Sequence, residues 1–278
     1  MPELPEVETV RRGLADRLQG FEIARVDVCR SRAIASPGGA ECFCAGLTGA
    51  VVGEWARRGK YLMAELQPDL GAWGVHLRMT GQFQWHEQPK EPCRYTRVRF
   101  WNPQGQELRF VDMRSFGEMW WVPPGEPLES VITGLTRLGP EPFSETFTAA
   151  YLKQRLKGSS RPIKTALLDQ ALVAGVGNIY ADESLFGSGI HPLTPAGQLS
   201  LSKLETLREA LVKVLETSIG AGGTTFSDFR DLEGVNGNYG GQAWVYRRGG
   251  EPCRSCGALI CREKLSGRST HWCPECQS

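Results

Sequence analysis

The sequence predicts an α+β protein in three consecutive parts: an antiparallel β-sandwich with an N-terminal helix, a helical domain, and a short cysteine-rich hairpin tail. Three observations predict it. Between Phe21 and about Val122, short runs alternate apolar and polar residues between Gly- and Pro-containing turns. Beyond Pro123-Pro124-Gly125-Glu126-Pro127 the apolar spacing becomes helical. The chain then closes on two Cys-x2-Cys pairs. The boundaries read 1–122 for the sandwich, 123–136 for a connector, 137–235 for the helical domain and 236–278 for the tail.

Each element has its own signal. After Pro5, Val7, Val10, Leu14 and Leu18 recur at helical spacing, and Gly20 ends the run. Pro5 suits a first helical turn, where a missing N–H costs nothing. Phe21–Val28 alternates cleanly, and similar strands are expected at Tyr61–Leu66, Trp73–Met79, Arg97–Trp101, Glu107–Val111 and Glu118–Val122. Strands at this spacing suggest an antiparallel sandwich with the first helix laid against it. In the second part, helices are expected over Ile163–Val173 and Ile179–Phe186, interrupted by Gly175-Val176-Gly177-Asn178. A longer helix follows over Ser202–Ile219, with Ser202-Lys203-Leu204-Glu205 as a capping box. It carries Leu204, Leu207, Leu211 and Leu215 on one face, and Gly220-Ala221-Gly222-Gly223 ends it before a loop running through Ser227.

Composition excludes several classes. With 278 residues, 41% hydrophobic and 23% charged, the chain is an ordinary two-domain globular size. There is no apolar run of membrane-spanning length and no charged-then-apolar leader, which predicts a cytoplasmic protein. A net charge of +1 does not advertise a polyanion ligand, so one would have to meet local patches. Such patches exist. Lys153 to Lys164 holds Lys153, Arg155, Lys157, Arg161 and Lys164 without an acid, and Arg247 to Ser278 holds six basic and three acidic residues. Taken one at a time, such runs are usually solvated faces.

The nine cysteines divide. Cys29, Cys42, Cys44 and Cys93 lack metal-like neighbours. Cys253-x2-Cys256 and Cys273-x2-Cys276, sixteen residues apart, have the spacing of a four-thiolate zinc site on two tight knuckles. A redox dithiol pair is the alternative. Cys261 and His271 lie between the pairs but do not fit the knuckle spacing. A tail this short buries too little apolar surface to fold alone, so metal binding would supply its folding energy.

The N-terminus carries the most specific chemistry. Trimming Met1 from Met1-Pro2-Glu3-Leu4-Pro5-Glu6 would leave Pro2 with a free secondary amine. Attack of that amine on a sugar carbon gives an iminium, covalent catalysis of the Schiff-base kind. Glu3 and Glu6 are near enough in sequence for proton transfer. A place just before a helix N-terminus disfavours an ammonium, which keeps the amine nucleophilic. The plainer alternative is that Pro2 and Pro5 only stiffen a helix entry.

Taken in order, the local signatures resemble the bacterial formamidopyrimidine-DNA glycosylase family over essentially the whole chain. They are Pro2-Glu3-Leu4-Pro5-Glu6-Val7-Glu8-Thr9, Arg57-Arg58-Gly59-Lys60-Tyr61-Leu62 and His76-Leu77-Arg78-Met79-Thr80-Gly81, then Leu138-Gly139-Pro140-Glu141-Pro142, Gly175-Val176-Gly177-Asn178-Ile179-Tyr180-Ala181, Gly222-Gly223-Thr224-Thr225 and the cysteine knuckles. The resemblance implies a helix–two-turn–helix domain, one structural Zn2+, a zinc-finger hairpin and damaged double-stranded DNA as partner of a monomer. It implies excision of 8-oxoguanine and formamidopyrimidines, followed by cleavage of the abasic strand.

By the same resemblance, Pro2 is the nucleophile at C1′, Glu3 the proton donor that opens the deoxyribose, Glu6 a supporting carboxylate and Lys60 the lesion-side lysine. Without it, Arg57, Arg58 and Lys60 are a basic surface turn. Met79, Arg114 and Phe116 match residues that fill the void left by an extruded base, although in Asp112-Met113-Arg114-Ser115-Phe116-Gly117 the family often has a second basic residue at Ser115. DNA contacts are expected from His76, Tyr95, Lys157, Ser159, Lys164 and Asn178. Tyr95 departs from a common histidine, and Ser159 stands where relatives carry lysine. Arg268, on the expected hairpin tip, matches an arginine tied to phosphate binding and the last elimination. Thr224, Thr225 and the residues to Ser227 match a loop over the flipped base. Two rivals remain at this level: endonuclease VIII, with the same architecture and a preference for oxidised pyrimidines, and a zinc nucleic-acid-binding protein without catalysis.

Overall fold

The computed structural model describes residues 1–225 and 230–278. The chain divides into two compact units, one of Met1–Thr136 with Ala221–Asn238, the other of Arg137–Gly220 with Tyr239–Ser278. Among the described residues no helix is long and apolar enough to cross a membrane.

The first unit is the expected sandwich. Helix α1 (Leu4–Leu18) buries Leu4, Val7, Val10, Leu14 and Leu18, so the apolar stripe read from sequence is its inner face. One sheet has the order β1 (Arg25–Val28), β6 (Thr96–Trp101), β7 (Glu107–Asp112), β5 (Gly81–His86). The other runs β2 (Val51–Arg58), β3 (Tyr61–Gln67), β4 (Gly71–His76), β8 (Glu118–Val122). All named pairings are antiparallel. Trp55, Trp73, Phe83, Phe100 and Phe110 fill the space between the sheets, with Trp73 4.5 Å from Phe100. Each such ring removes enough apolar area from water to stabilise by about 1.5–3 kcal/mol.

Several elements differ from the reading of the sequence. The first strand, paired with β6, begins at Arg25; the residues before it turn to another partner, Phe21 O accepting Val52 N, Ile23 N donating to Ala50 O and Glu22 forming an isolated bridge with Val51. Strand β2 was not expected; a register shift between Val52 and Trp55 breaks its alternation. Strand β5, α2 (Gly39–Leu47) and α3 (Leu128–Val131) are further additions. Trp73–Met79 ends as a strand at His76, because Arg78 adopts φ 52°. The expected helical-domain boundary at 235 also differs. Residues 221–238 pack with the first unit, where Leu232 is buried, its carbonyl accepts from Trp85 N at 3.3 Å, and Glu233 pairs with Arg17 at 2.7 Å.

The second unit contains α4 (Ala149–Leu156), α5 (Ile163–Leu167), α6 (Asn178–Gly187), α7 (Leu201–Gly220) and the hairpin β9 (Cys261–Leu265) and β10 (Arg268–Trp272). Helix α5 stops at Leu167 rather than 173; Asp169, Ala171 and Leu172 form turns instead. Helix α7 buries Leu204, Leu207, Leu211 and Leu215 as expected, but Ser200, not Ser202, caps it, accepting from Lys203 N at 3.2 Å.

Candidate active site and candidate DNA contacts

The first turn of α1 is built around two glutamates. Glu3 is the N-cap, and it exchanges reciprocal capping-box contacts with Glu6, whose Oε2 accepts Glu3 N at 2.8 Å. The other oxygen of Glu6 accepts Thr224 N at 2.8 Å. Pro2, Glu3 and Glu6 are all buried. Met1, still attached to Pro2, is 43% exposed and lines a cleft of about 430 Å³ with Arg32, Arg78, Met79, Ser115, Phe116 and Glu118.

Lys60 is buried on the β2–β3 turn. Glu8 braces the turn from α1: its carboxylate accepts from Arg57 at 3.2 Å, and Arg57 in turn donates to Gly59 O at 3.0 Å. Gly59 has φ 56°, which allows the tight turn. Burial alone would raise the Glu8 pKa, but hydrogen bonds from Arg11 and Arg12 outweigh it and keep the carboxyl below its ordinary value. Glu8 and Arg57 were not among the expected site residues, because their pairing joins positions 49 apart.

His76 faces Tyr61 across β3 and β4, the rings 4.6 Å apart and edge-on. Its Nδ1 accepts Arg78 N at 3.0 Å, which leaves the ring proton on Nε2. Burial, together with the charges of Arg78 and Lys60, pushes its pKa down to about 3. His76 is therefore uncharged at neutral pH.

Asp112 organises the loop that follows β7, from Met113 to Gly117. Fully buried, it accepts from Arg114 N at 3.1 Å, from Gly117 N at 2.7 Å and from the Thr80 hydroxyl. Ser115 takes φ 54°, and Phe116 is turned out to 42% exposure with the Arg114 guanidinium 5.0 Å from its ring centre. Met79 lines the same cleft. The three expected void-fillers thus lie together, and Arg32, 6.0 Å from the Phe116 ring, joins them without having been anticipated. Tyr95 is half-buried, with the Arg94 guanidinium 4.7 Å from its ring centre, and its carbonyl accepts Asp112 N at 2.9 Å. Thr225 exchanges contacts with Gly237, donating its N–H at 3.3 Å and accepting Gly237 N on Oγ1 at 2.8 Å. Phe226 and Ser227 of the expected lesion loop lie outside the described residues.

In the second unit, Asn178 opens α6, and its Nδ2 donates to Ser269 O at 2.9 Å; its buried Oδ1 has no hydrogen-bond partner among the described residues. Arg268 is exposed at the start of β10, directly after the turn through Ser266 and Gly267, as expected of a hairpin tip. Lys157 and Ser159 sit on the turn after α4, Lys157 exposed and Ser159 partly so.

Lys164 requires a correction. It is 1% exposed, its Nζ 2.7 Å from Asp182 Oδ1, donating to Ser269 O at 2.8 Å and Thr270 Oγ1 at 2.9 Å. A buried ammonium without counter-charge is costly, so Asp182 and β10 take the charge that the sequence suggested for phosphate. The other Asp182 oxygen accepts His271 N at 3.0 Å and lies 3.1 Å from His271 Nδ1. His271 is thus engaged by a carboxylate, not the metal.

The ligand atoms of Cys253, Cys256, Cys273 and Cys276 lie within 4.8 Å of one another, with Sγ separations of 4.0 Å and 3.4 Å for two of the pairs. Tetrahedral Zn–S bonds of ~2.3 Å need sulfurs about 3.8 Å apart, so the cluster fits one structural zinc. Burial and the neighbouring sulfurs push Cys276 up to about 12, a charge problem that a divalent cation removes.

Three segments match the families described as formamidopyrimidine-DNA glycosylase N-terminal domain (residues 1–119), formamidopyrimidine-DNA glycosylase H2TH domain (138–230) and zinc finger found in FPG and IleRS (250–278). The chain belongs to the formamidopyrimidine-DNA glycosylase family. Relatives of that name from Parasynechococcus marenigrum and Prochlorococcus marinus (strain MIT 9313) are 78% and 66% identical over the full length of both chains. Among solved structures, a Lactococcus lactis Fpg bound to DNA containing an abasic site superposes with a TM-score of 0.91 at 34% identity, covering 99% of each chain. MutM in complex with carbocyclic 8-oxo-G DNA matches with a TM-score of 0.90 at 35% identity over 100% of each chain. Formamidopyrimidine-DNA glycosylases thus share this chain's fold from end to end.

Proposed function

We infer that this chain is a DNA glycosylase of base excision repair that removes oxidised purines, 8-oxoguanine and formamidopyrimidines, and then cleaves the abasic strand. The observation that carries the reading is the cleft: it joins the terminus bearing Pro2 to the void-side residues Met79 and Phe116, in a chain whose whole length matches the family. Asn178, Arg268, Lys157 and neutral His76 bind phosphate, while Tyr95 supports the void-side loop. The target nucleotide leaves the stack at a cost of a few kcal/mol, and Met79, Arg114 and Phe116 occupy the gap. The amine of Pro2 attacks C1′ as the C1′–N bond breaks; the base departs with that electron pair, and the proton the amine gives up neutralises the base. Glu3 protonates the ring oxygen as the iminium forms. Loss of a C2′ proton expels the 3′ phosphate; a second elimination, with Lys60 and Arg268 nearby, expels the 5′ phosphate. Thr224 and Thr225 border the extruded base. Zinc supplies folding energy to the tail and takes no chemical step. The enzyme acts as a monomer.

Borohydride reduction on 8-oxoguanine duplex tests the reading: trapped enzyme of a mass lacking Met1 is expected, and absence of any cross-link overturns it. Glu3→Gln is expected to slow base release by at least 10²-fold with DNA affinity within about threefold. Normal release by that variant removes Glu3 from the scheme. Thymine glycol duplex, run beside 8-oxoguanine, separates the purine from the pyrimidine reading.

A further inference from the structure

We propose that Glu6 is a positioning residue that couples the nucleophile to the segment bordering the base. The proposal rests on the reading of Pro2 as nucleophile. One carboxylate spans two backbone segments far apart in sequence: Oε2 accepts Glu3 N and Oε1 accepts Thr224 N, each at 2.8 Å. The Glu3 N–H belongs to the peptide joining Pro2 to Glu3. Fixing that peptide plane fixes the position of Pro2 Cα, which carries the ring nitrogen, and leaves only rotation about its Cα–C bond. The second contact fixes the peptide plane of Gly223–Thr224.

The surroundings leave this carboxylate little room to move. Glu6 is 1% exposed. Gly223, at φ 81°, packs so closely that a Cβ there would lie 3.2 Å from Glu6 Cγ and from Oε1. Gly237 closes the other side: a Cβ on it would come 2.4 Å from Gly223 O. Thr224 is additionally bridged to Asn238 and 4% exposed. A carboxylate accepts at both oxygens, whereas a glutamine must point an NH2 at one of these N–H groups. Charge-assisted bonds of this kind, buried, are the stronger class. Glu6 thus acts through two main-chain amides, and a shift of the Gly223–Thr224 peptide is transmitted to the amine.

The test compares the full-length, zinc-loaded enzyme with Glu6→Gln, Thr224→Pro and the double variant in single-turnover release of 8-oxoguanine. Each single change is expected to slow release by about 10–100-fold. Because both break the same bridge, the double variant is expected within about threefold of the slower single. Slowing equal to the product of the singles, or release by Glu6→Gln at the wild-type rate, overturns the proposal. Hydrogen exchange reads the bridge without activity: Glu6→Gln is expected to accelerate exchange at both Glu3 and Thr224 amides, and unchanged exchange at Thr224 overturns the proposal even if the proline variant fails to fold. Wild-type enzyme that neither releases base nor traps on abasic DNA overturns the glycosylase reading instead, and exchange still decides the bridge.

Discussion

Lys164 carries an ammonium into the interior of the second unit, where Asp182 answers it and the same carboxylate reaches His271. Replacing Lys164 by Ala strands the Asp182 charge, which is expected to cost about 3–5 kcal/mol of stability. The paired change Lys164→Met with Asp182→Asn is expected to recover much of that loss, and equilibrium denaturation of the single and paired variants checks both. The sequence marked Lys164 as basic but not as buried. Its partner lies eighteen residues on in α6, and its other contacts are on β10, so only the fold brings them together. The four cysteines were legible because metal ligation depends on local spacing. Asp112 was not singled out, because its role consists of accepting from amides two and five residues away, and a lone Asp gives no such sign.

At the level of elements, amphipathic α1 and α7 were legible from their leucine and valine periodicity, whereas β2 was hidden by its irregular register and α2 by its brevity. Helix α5 is shorter than its apolar run because the Asp169 turn diverts the chain. The hairpin β9–β10 depends on more than pairing. Its core cluster is small (Val245, Cys253, Ile260 and Cys273), so most of its folding energy must come from the metal, at ~10–16 kcal/mol. Chelation is expected to change the fluorescence of Trp272 and Trp244 while the far-ultraviolet signal of the helices is largely kept. A spectrum indifferent to chelator would remove the metal from the account of the tail.

For the whole molecule, acid is the condition that attacks the first unit. His76 has a folded pKa of about 3 against an ordinary 6.5, so the unfolded chain takes up the proton first as pH falls. Its contribution is complete above pH 6.5 and is lost toward pH 3, at no more than ~1.4 kcal/mol per pH unit. Glu107 acts in the same direction lower down. Burial would raise it, but Arg99 and Arg109 hold it at about 2, so its stabilisation is present above pH 4.5 and fades toward 2. Urea titrations from pH 7 to 4 are expected to give falling stability, with a shallower fall in His76→Gln; an identical slope would acquit the histidine.

The second unit is assembled from two separate stretches of chain, with residues 221–238 belonging elsewhere. The later stretch is held by Glu183, whose carboxylate takes the N–H groups of Trp244, Val245 and Tyr246 at 2.8, 2.9 and 2.8 Å, and by the Asp182 contacts to His271. None of these bonds depends on an intact peptide between Gly220 and Tyr239. Limited proteolysis there should yield two pieces that run apart in detergent yet co-elute on a sizing column, a nicked molecule whose metal-bearing fragment stays docked.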